Sequence, residues 1–189
     1  WNFDPAAGTA AGDANADARL GTFDEVSVRR QLAAYRAMAS AVEELEIADL
    51  QDEIDRTALL DDIRVSVFRF QHERPHVHDP AFWLSHLFGA YHGLIQRAGE
   101  EPERRAAAAL ARLQATPEFL ATATATLRSP PPVMLGTALT MLEGGAGLPG
   151  ILAAEFARRA PAVAESLAIA AHEASAALAH FKTTLRTEL

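Results

Sequence analysis

The sequence predicts an all-α fold, a multi-helix antiparallel bundle of about seven to eight helices. Apolar residues recur at spacings of three and four over most of the chain, and no stretch alternates with the period of a strand. Between the apolar stretches stand prolines, glycines and Asp or Thr residues, placed where helices begin and stop. Nearly half of the 189 residues are apolar (49%), and many are alanine, which lets helices approach closely.

Residues 1–21 (WNFDPAAGTAAGDANADARLG) lack an apolar period and read as a flexible lead-in, with residues 22–189 forming a single helical domain. Asp24 is an N-cap candidate for a first helix that ends near residue 46, its stripe being Val28, Leu32, Tyr35, Ala39, Val42 and Leu45. Asp49 caps a second helix carrying Ile54, Leu60, Ile63, Val67 and Phe70, and Pro75 stops it. Asp79-Pro80 opens a third, which runs to residue 98 with Gly99 as its left-handed stop. The short turn between the second and third helices predicts that their stripes bury each other. That pair, with Phe68, Phe70, Phe82, Trp83, Leu87, Phe88 and Tyr91, is the expected core, touched by Leu113, Phe119 and Leu120.

A fourth helix is expected over 102–115, and a fifth over 117–127 behind the Thr116-Pro117 cap. Ser129-Pro130-Pro131-Pro132 is a rigid break. A sixth helix follows over 133–143, ends in Gly144-Gly145-Ala146-Gly147, and gives way to a seventh over 148–159. The last runs from Pro161 along Val163, Leu167, Ala170, Ala174, Leu178, Phe181 and Leu185. It reaches Leu189 without a capping device, so this end is expected to be frayed or covered by another chain.

The net charge of −8 and pI near 5.3 argue against a nucleic-acid partner, whose phosphates require clustered basic residues. No apolar run is long enough for a membrane span, and the absence of cysteine removes disulfides and thiolate chemistry. The expected location is cytoplasmic, although a chain that opens on Trp1 is compatible with a removed signal peptide.

Several groupings were weighed for chemistry. His72, His76 and His78, with Glu73 and Asp79, have the donor types of a zinc or nickel site, but Pro75 breaks the one-turn spacing that would join His72 to His76. His86 and His92 point to different helix faces. His172-Glu173 begins like a zinc-peptidase helix, yet the second histidine position is Ala176, and His180 lies about 12 Å further along the axis. Asp61-Asp62, Glu100-Glu101 and Glu43-Glu44 with Glu46 read as solvated surface, because adjacent helical residues face apart. The glycine cluster at 144–147 lacks the strand and the Lys-Ser or Lys-Thr of a phosphate loop. The expectation is therefore no catalytic, cofactor-binding or metal residue in this chain.

Ile54-Asp55-Arg56, Leu60, Arg74-Pro75, Asp79-Pro80 and Phe82-Trp83 stand in an order that resembles the bacterial domain-of-unknown-function family 885. Ala111-Arg112-Leu113, Pro117, Phe119-Leu120, Ala123, Leu127 and Thr137-Ala138 continue it, so the likeness covers 49–142. The resemblance implies a mostly helical protein, similar to zinc-dependent peptidases, whose His-Glu-x-x-His helix lies downstream of the matched region. It implies an amino-terminal helical subdomain of a zinc-metallopeptidase-like hydrolase, with zinc only downstream and a downstream catalytic region or second chain as partner. A homo-oligomer is a further expected state. The alternative is a free-standing helical module that binds a protein or small ligand without catalysis.

Overall fold

The computed structural model describes residues 3–96 and 101–187. Its elements are α1 (Pro5–Ala10), α2 (Glu25–Glu43), α3 (Leu50–Phe68), a π segment (Arg69–Glu73), α4 (Pro75–His78) and α5 (Pro80–Gln96). They continue with α6 (Pro102–Thr126), α7 (Pro132–Gly145), α8 (Leu148–Arg159), a 3-10 turn (Pro161–Val163) and α9 (Ala164–Thr187). No strand occurs among the described residues, and the class is all-α.

Three aspartate caps act as the sequence predicts. Asp24 accepts from the Ser27 N–H at 2.9 Å, Asp49 from that of Asp52 at 3.0 Å, and Asp79 from that of Ala81 at 2.9 Å. Each satisfies a donor that the first helical turn would leave bare. The expected stop at Gly99 lies outside the described residues.

Helices α5 to α9 make the body: α9 lies along α6 and α8, α5 packs on α6, α7 and α8, and α1 rests on α5. Its centre is aromatic. Phe23 meets Phe3, Phe82 and Trp83 edge-on at centroid distances of 5.0, 4.8 and 5.5 Å, and Trp83 meets Phe119 at 5.3 Å. Gly145 ends α7 directly over Phe88, where a Cβ would fall 2.4 Å from the ring carbon Cζ.

Five expectations are corrected. The lead-in 1–21 contains a helix, α1, capped by Asp4 through the Ala7 N–H at 3.0 Å, and buries Thr9, Ala16, Asp17 and Leu20. Gly21, at φ 77°, turns the chain where a Cβ would lie 2.7 Å from the Phe3 carbonyl oxygen. The anchoring partners are distant in sequence, so no local period announces them.

The helices expected over 102–115 and 117–127 are one, α6, with Pro117 inside. Proline removes its own N–H and crowds the carbonyl one turn back, yet the buried stripe Ala106, Ala109, Leu113, Thr116, Leu120, Ala123 and Leu127 keeps one register through it. Burial of that continuous face outweighs the roughly 3 kcal/mol that an internal proline costs.

α3 packs on α2 and the π segment rather than on α5. The predicted stripes exist, with Val28, Val42, Ile63 and Phe70 buried, but those of α2 and α3 meet each other in a hairpin about 28 Å long. The π segment and the short α4 redirect the chain before α5 begins. Phe68, placed in the expected core, is consequently 56% exposed; Phe70, Phe82, Trp83, Leu87, Phe88, Tyr91, Leu113, Phe119 and Leu120 are buried.

Finally, Leu178, Phe181 and Leu185 on α9 are buried within this chain, against the expectation of fraying or a covering chain. The uncovered apolar surface lies on the hairpin instead. Leu50, Ile54, Val65 and Phe68 are all exposed, spaced along a second stripe of α3, and Ile47 is exposed just ahead of it.

Candidate functional site

Buried Arg105 on α6 donates to the Leu94 carbonyl and buried Thr184 lies on α9, and the remaining buried polar side chains gather in two places. In the first, Arg112 on α6 is wholly buried. Its Nε donates to the Arg19 carbonyl at 3.0 Å, Nη1 to that of Ala90, and Nη2 to Thr9 Oγ1 at 2.6 Å and the Ala16 carbonyl at 3.2 Å. The planar fork thereby joins α1, the segment behind it and α5 to α6. Beside it Tyr91 Oη and Thr116 Oγ1 share a 2.5 Å hydrogen bond, and Thr116 Oγ1 donates to the Arg112 carbonyl at 2.8 Å. Burial pushes the Tyr91 phenol up to about 12 and holds Arg112 down to about 10, the latter opposed by the charges of Asp17, Tyr91 and Asp4. Arg112 donates to main-chain carbonyls and one hydroxyl, which is the signature of a staple.

The second place is a cleft of about 190 Å³ lined by Glu25, Arg74, His76, Val77, Ala125, Thr126 and Arg128. The Arg74 N–H closes the π segment on the Arg69 carbonyl at 2.8 Å, and Arg74, ahead of Pro75, takes the left-handed φ of 50°. Its carbonyl accepts from the N–H of Val77 at 2.8 Å, which begins α4. Across the cleft, Arg128 donates its N–H to the Val77 carbonyl at 2.8 Å, and its carbonyl contacts His78 Nδ1 at 3.0 Å. Ser129 follows at φ 44°, a second non-glycine residue in the left-handed region.

His76 is the buried member of this wall, 3% exposed, and its Nδ1 has no hydrogen-bond partner. Its carbonyl accepts from Trp83 Nε1 at 2.9 Å, which holds the backbone, and its ring lies 5.8 Å from that of Phe70. Burial first, then the charges of Arg74 and His78, hold it down at about 4, with Glu25 opposing. It is a neutral imidazole at physiological pH.

The other weighed groups are dispersed. His72 and Glu73 are exposed, and Asp79 is occupied as a cap. His86 contacts the Phe82 carbonyl at 2.8 Å through Nδ1 and stands 3.4 Å from Asp4 through Nε2, between the rings of Phe23 and Phe82. Burial raises the Asp4 carboxyl, but its bonds to His86 and the Ala7 N–H hold it below its ordinary value. His92, His172, Glu173 and His180 are exposed on α5 and α9. Asp61 pairs with Arg64 at 2.8 Å and Glu101 with Arg104 at 3.3 Å, both at the surface, and Glu100 lies outside the described residues. Among the described residues no group of three or more His, Asp or Glu side chains is placed to hold a metal ion. Sequence reading named His76 only as a metal candidate and gave Arg74 and Arg128 no role. The signal open to it was the proline that follows Arg74 and the proline run behind Arg128.

No curated protein matches the chain. A solved structure from Shewanella oneidensis, of a protein of unknown function provisionally described as a lipoprotein, superposes with a TM-score of 0.85 at 18% identity. That likeness covers 100% of this chain and 35% of the other, so this chain spans about a third of the length of the protein it resembles. The sequence profile of one family matches residues 5–189. Together with the helical body, that match makes the chain a member of the family described as bacterial protein of unknown function (DUF885).

Proposed function

We propose that this chain is the amino-terminal helical subdomain of a longer zinc-metallopeptidase-like hydrolase, serving as a wall on which the catalytic part rests. The observation that carries the reading is the bare apolar face of the α2–α3 hairpin, where Leu50, Val65 and Phe68 are 71%, 65% and 56% exposed. A helix apolar on two faces, with only one covered, is suited to a further packing partner. The threefold greater length of the structural neighbour supports the remainder of a longer chain as that partner. The residues present do not fit zinc: His172 and Glu173 are followed by Ala176 where a second ligand is required, and no step is assigned to a metal here. The lipoprotein description of the neighbour favours an exported protein over a cytoplasmic one.

The test is the intact mass of the product in its source cells, together with the reading frame beyond the codon for Leu189. A longer product encoding a His-Glu-x-x-His helix supports the proposal. A product that ends at Leu189 and unfolds cooperatively as a monomer without binding an apolar dye overturns it, and leaves the free-standing binding module.

A further inference from the structure

We infer that the cleft between the π segment and the end of α6 is a binding subsite for a carboxylate, with Arg74 and Arg128 as its cationic walls and His76 as its buried hydrogen-bonding floor. The inference rests on the cleft and is independent of the longer-chain reading.

Four observations converge on it. The first is the buried Nδ1 of His76, which has no partner within the protein. A buried polar atom left bare costs about 1–3 kcal/mol, so a small turn of the ring that brings Nδ1 to a group in the cleft is favoured. The second is the pair of arginines, Arg74 and Arg128, among the residues that line the same cleft. Arg74 forms no ion pair among the described residues, and the Arg128 side chain donates only to the neighbouring Leu127 carbonyl, at 2.7 Å. The guanidinium fork matches the two oxygens of a carboxylate.

The third is backbone geometry. Arg74, which lines the cleft, and Ser129, the residue after the lining Arg128, both hold left-handed φ values. Such conformations cost about 1–3 kcal/mol each and gather where a site must be held in one shape. The cross-link from Arg128 N–H to the Val77 carbonyl keeps the two walls at fixed separation. The fourth is charge. Glu25 lines the cleft as well, and its carboxylate also pairs with Arg29 at 3.1 Å. Two guanidiniums against one carboxylate leave about one positive charge, which suits a monoanion better than a phosphate dianion. A neutral His76 adds a directional hydrogen bond without adding charge. The volume of about 190 Å³ accommodates a small acid or the last residue of a peptide.

The probes are acetate, N-acetyl-dialanine with a free carboxyl terminus, and the same dipeptide as its amide. The readout is the ring ¹⁵N resonances of His76, with sodium chloride at matched ionic strength as the control. The expected result is a saturable shift at His76 with acetate and the acid peptide but not with the amide or chloride. R74Q and R128Q, both at exposed side chains, should each weaken binding about tenfold with unchanged circular dichroism. E25Q should strengthen it several-fold, because it removes the opposing charge. Tighter binding of the acid peptide than of acetate identifies a peptide terminus as the source, and equal binding identifies a free small acid; either supports the subsite. A response to the amide or to chloride of equal size, or no response at His76, overturns it.

Discussion

Arg112 reaches residues that precede it by 93, 96 and 103 positions, and its whole effect depends on those distant partners. Arg112→Lys keeps the charge but loses the fork, and an ammonium cannot serve three carbonyls and a hydroxyl in four directions. We expect a loss of about 2–4 kcal/mol in urea unfolding and faster amide exchange over 13–20; a loss below about 1 kcal/mol would remove the staple. His76 gives a pH signature. Its folded value of about 4 lies below the ordinary 6.5, so the unfolded chain binds a proton that the folded chain refuses. The stabilisation is complete above about pH 6.5 and is lost as pH falls toward about 4, by up to about 3 kcal/mol. Urea midpoints at about pH 7 and about pH 4.5 should differ by that amount, and His76→Gln should flatten the difference. Equal midpoints in the unsubstituted protein would show that His76 is solvated. Neither role was legible beforehand, since Arg112 and His76 are defined by what surrounds them, and a lone residue letter carries no burial.

The end of α7 contains two adjacent glycines with opposite surroundings. A Cβ on Gly144 meets nothing within 4 Å, whereas one on Gly145 meets the Phe88 ring at 2.4 Å. Gly144→Ala should therefore raise stability by up to about 1 kcal/mol through backbone entropy, and Gly145→Ala should lower it by about 1–3 kcal/mol. Thermal melts of the two variants check this, and shifts of the same sign would mean the α7–Phe88 contact is misplaced. Elements were the most legible level, because caps and stripes are local: Asp24, Asp49 and Asp79 all cap where expected. Legibility failed at Pro117, where the same proline that starts a helix elsewhere sits inside α6. A cap signature reports only that a helix is permitted to begin; the stripe running unbroken from Ala106 to Leu127 decided that it did not.

At the scale of the molecule, a buried body carries a hairpin that is apolar on its outer side. Two phenylalanines that the sequence placed in one core separate the two surfaces. Phe88→Ala should cost about 3–5 kcal/mol, because the ring is buried against Gly145. Phe68→Ala should cost less than about 1 kcal/mol and reduce dye binding or self-association. Equal losses in urea titrations of the two variants would place the hairpin face inside the fold. Stripe geometry reveals which residues share a face but not which partner covers that face: Phe70 at the end of the stripe meets Phe82 of α5, while α3 itself packs on α2. The π segment that turns the chain away has no sequence period of its own.

The staple at Arg112 also sets an order of events during synthesis. Residues 9, 16 and 19 leave the ribosome well before Arg112, and the side chain that fastens them is made about a hundred residues later. At about 5–20 residues per second that is a delay of roughly 5–20 s, far longer than a helix takes to form. Through that interval Phe3 and Phe23 lack α6, so the amino-terminal segment is the stretch most open to chaperones and proteases. Its sequence, polar and rich in alanine, aspartate and glycine around those two rings, is suited to waiting in water without aggregating.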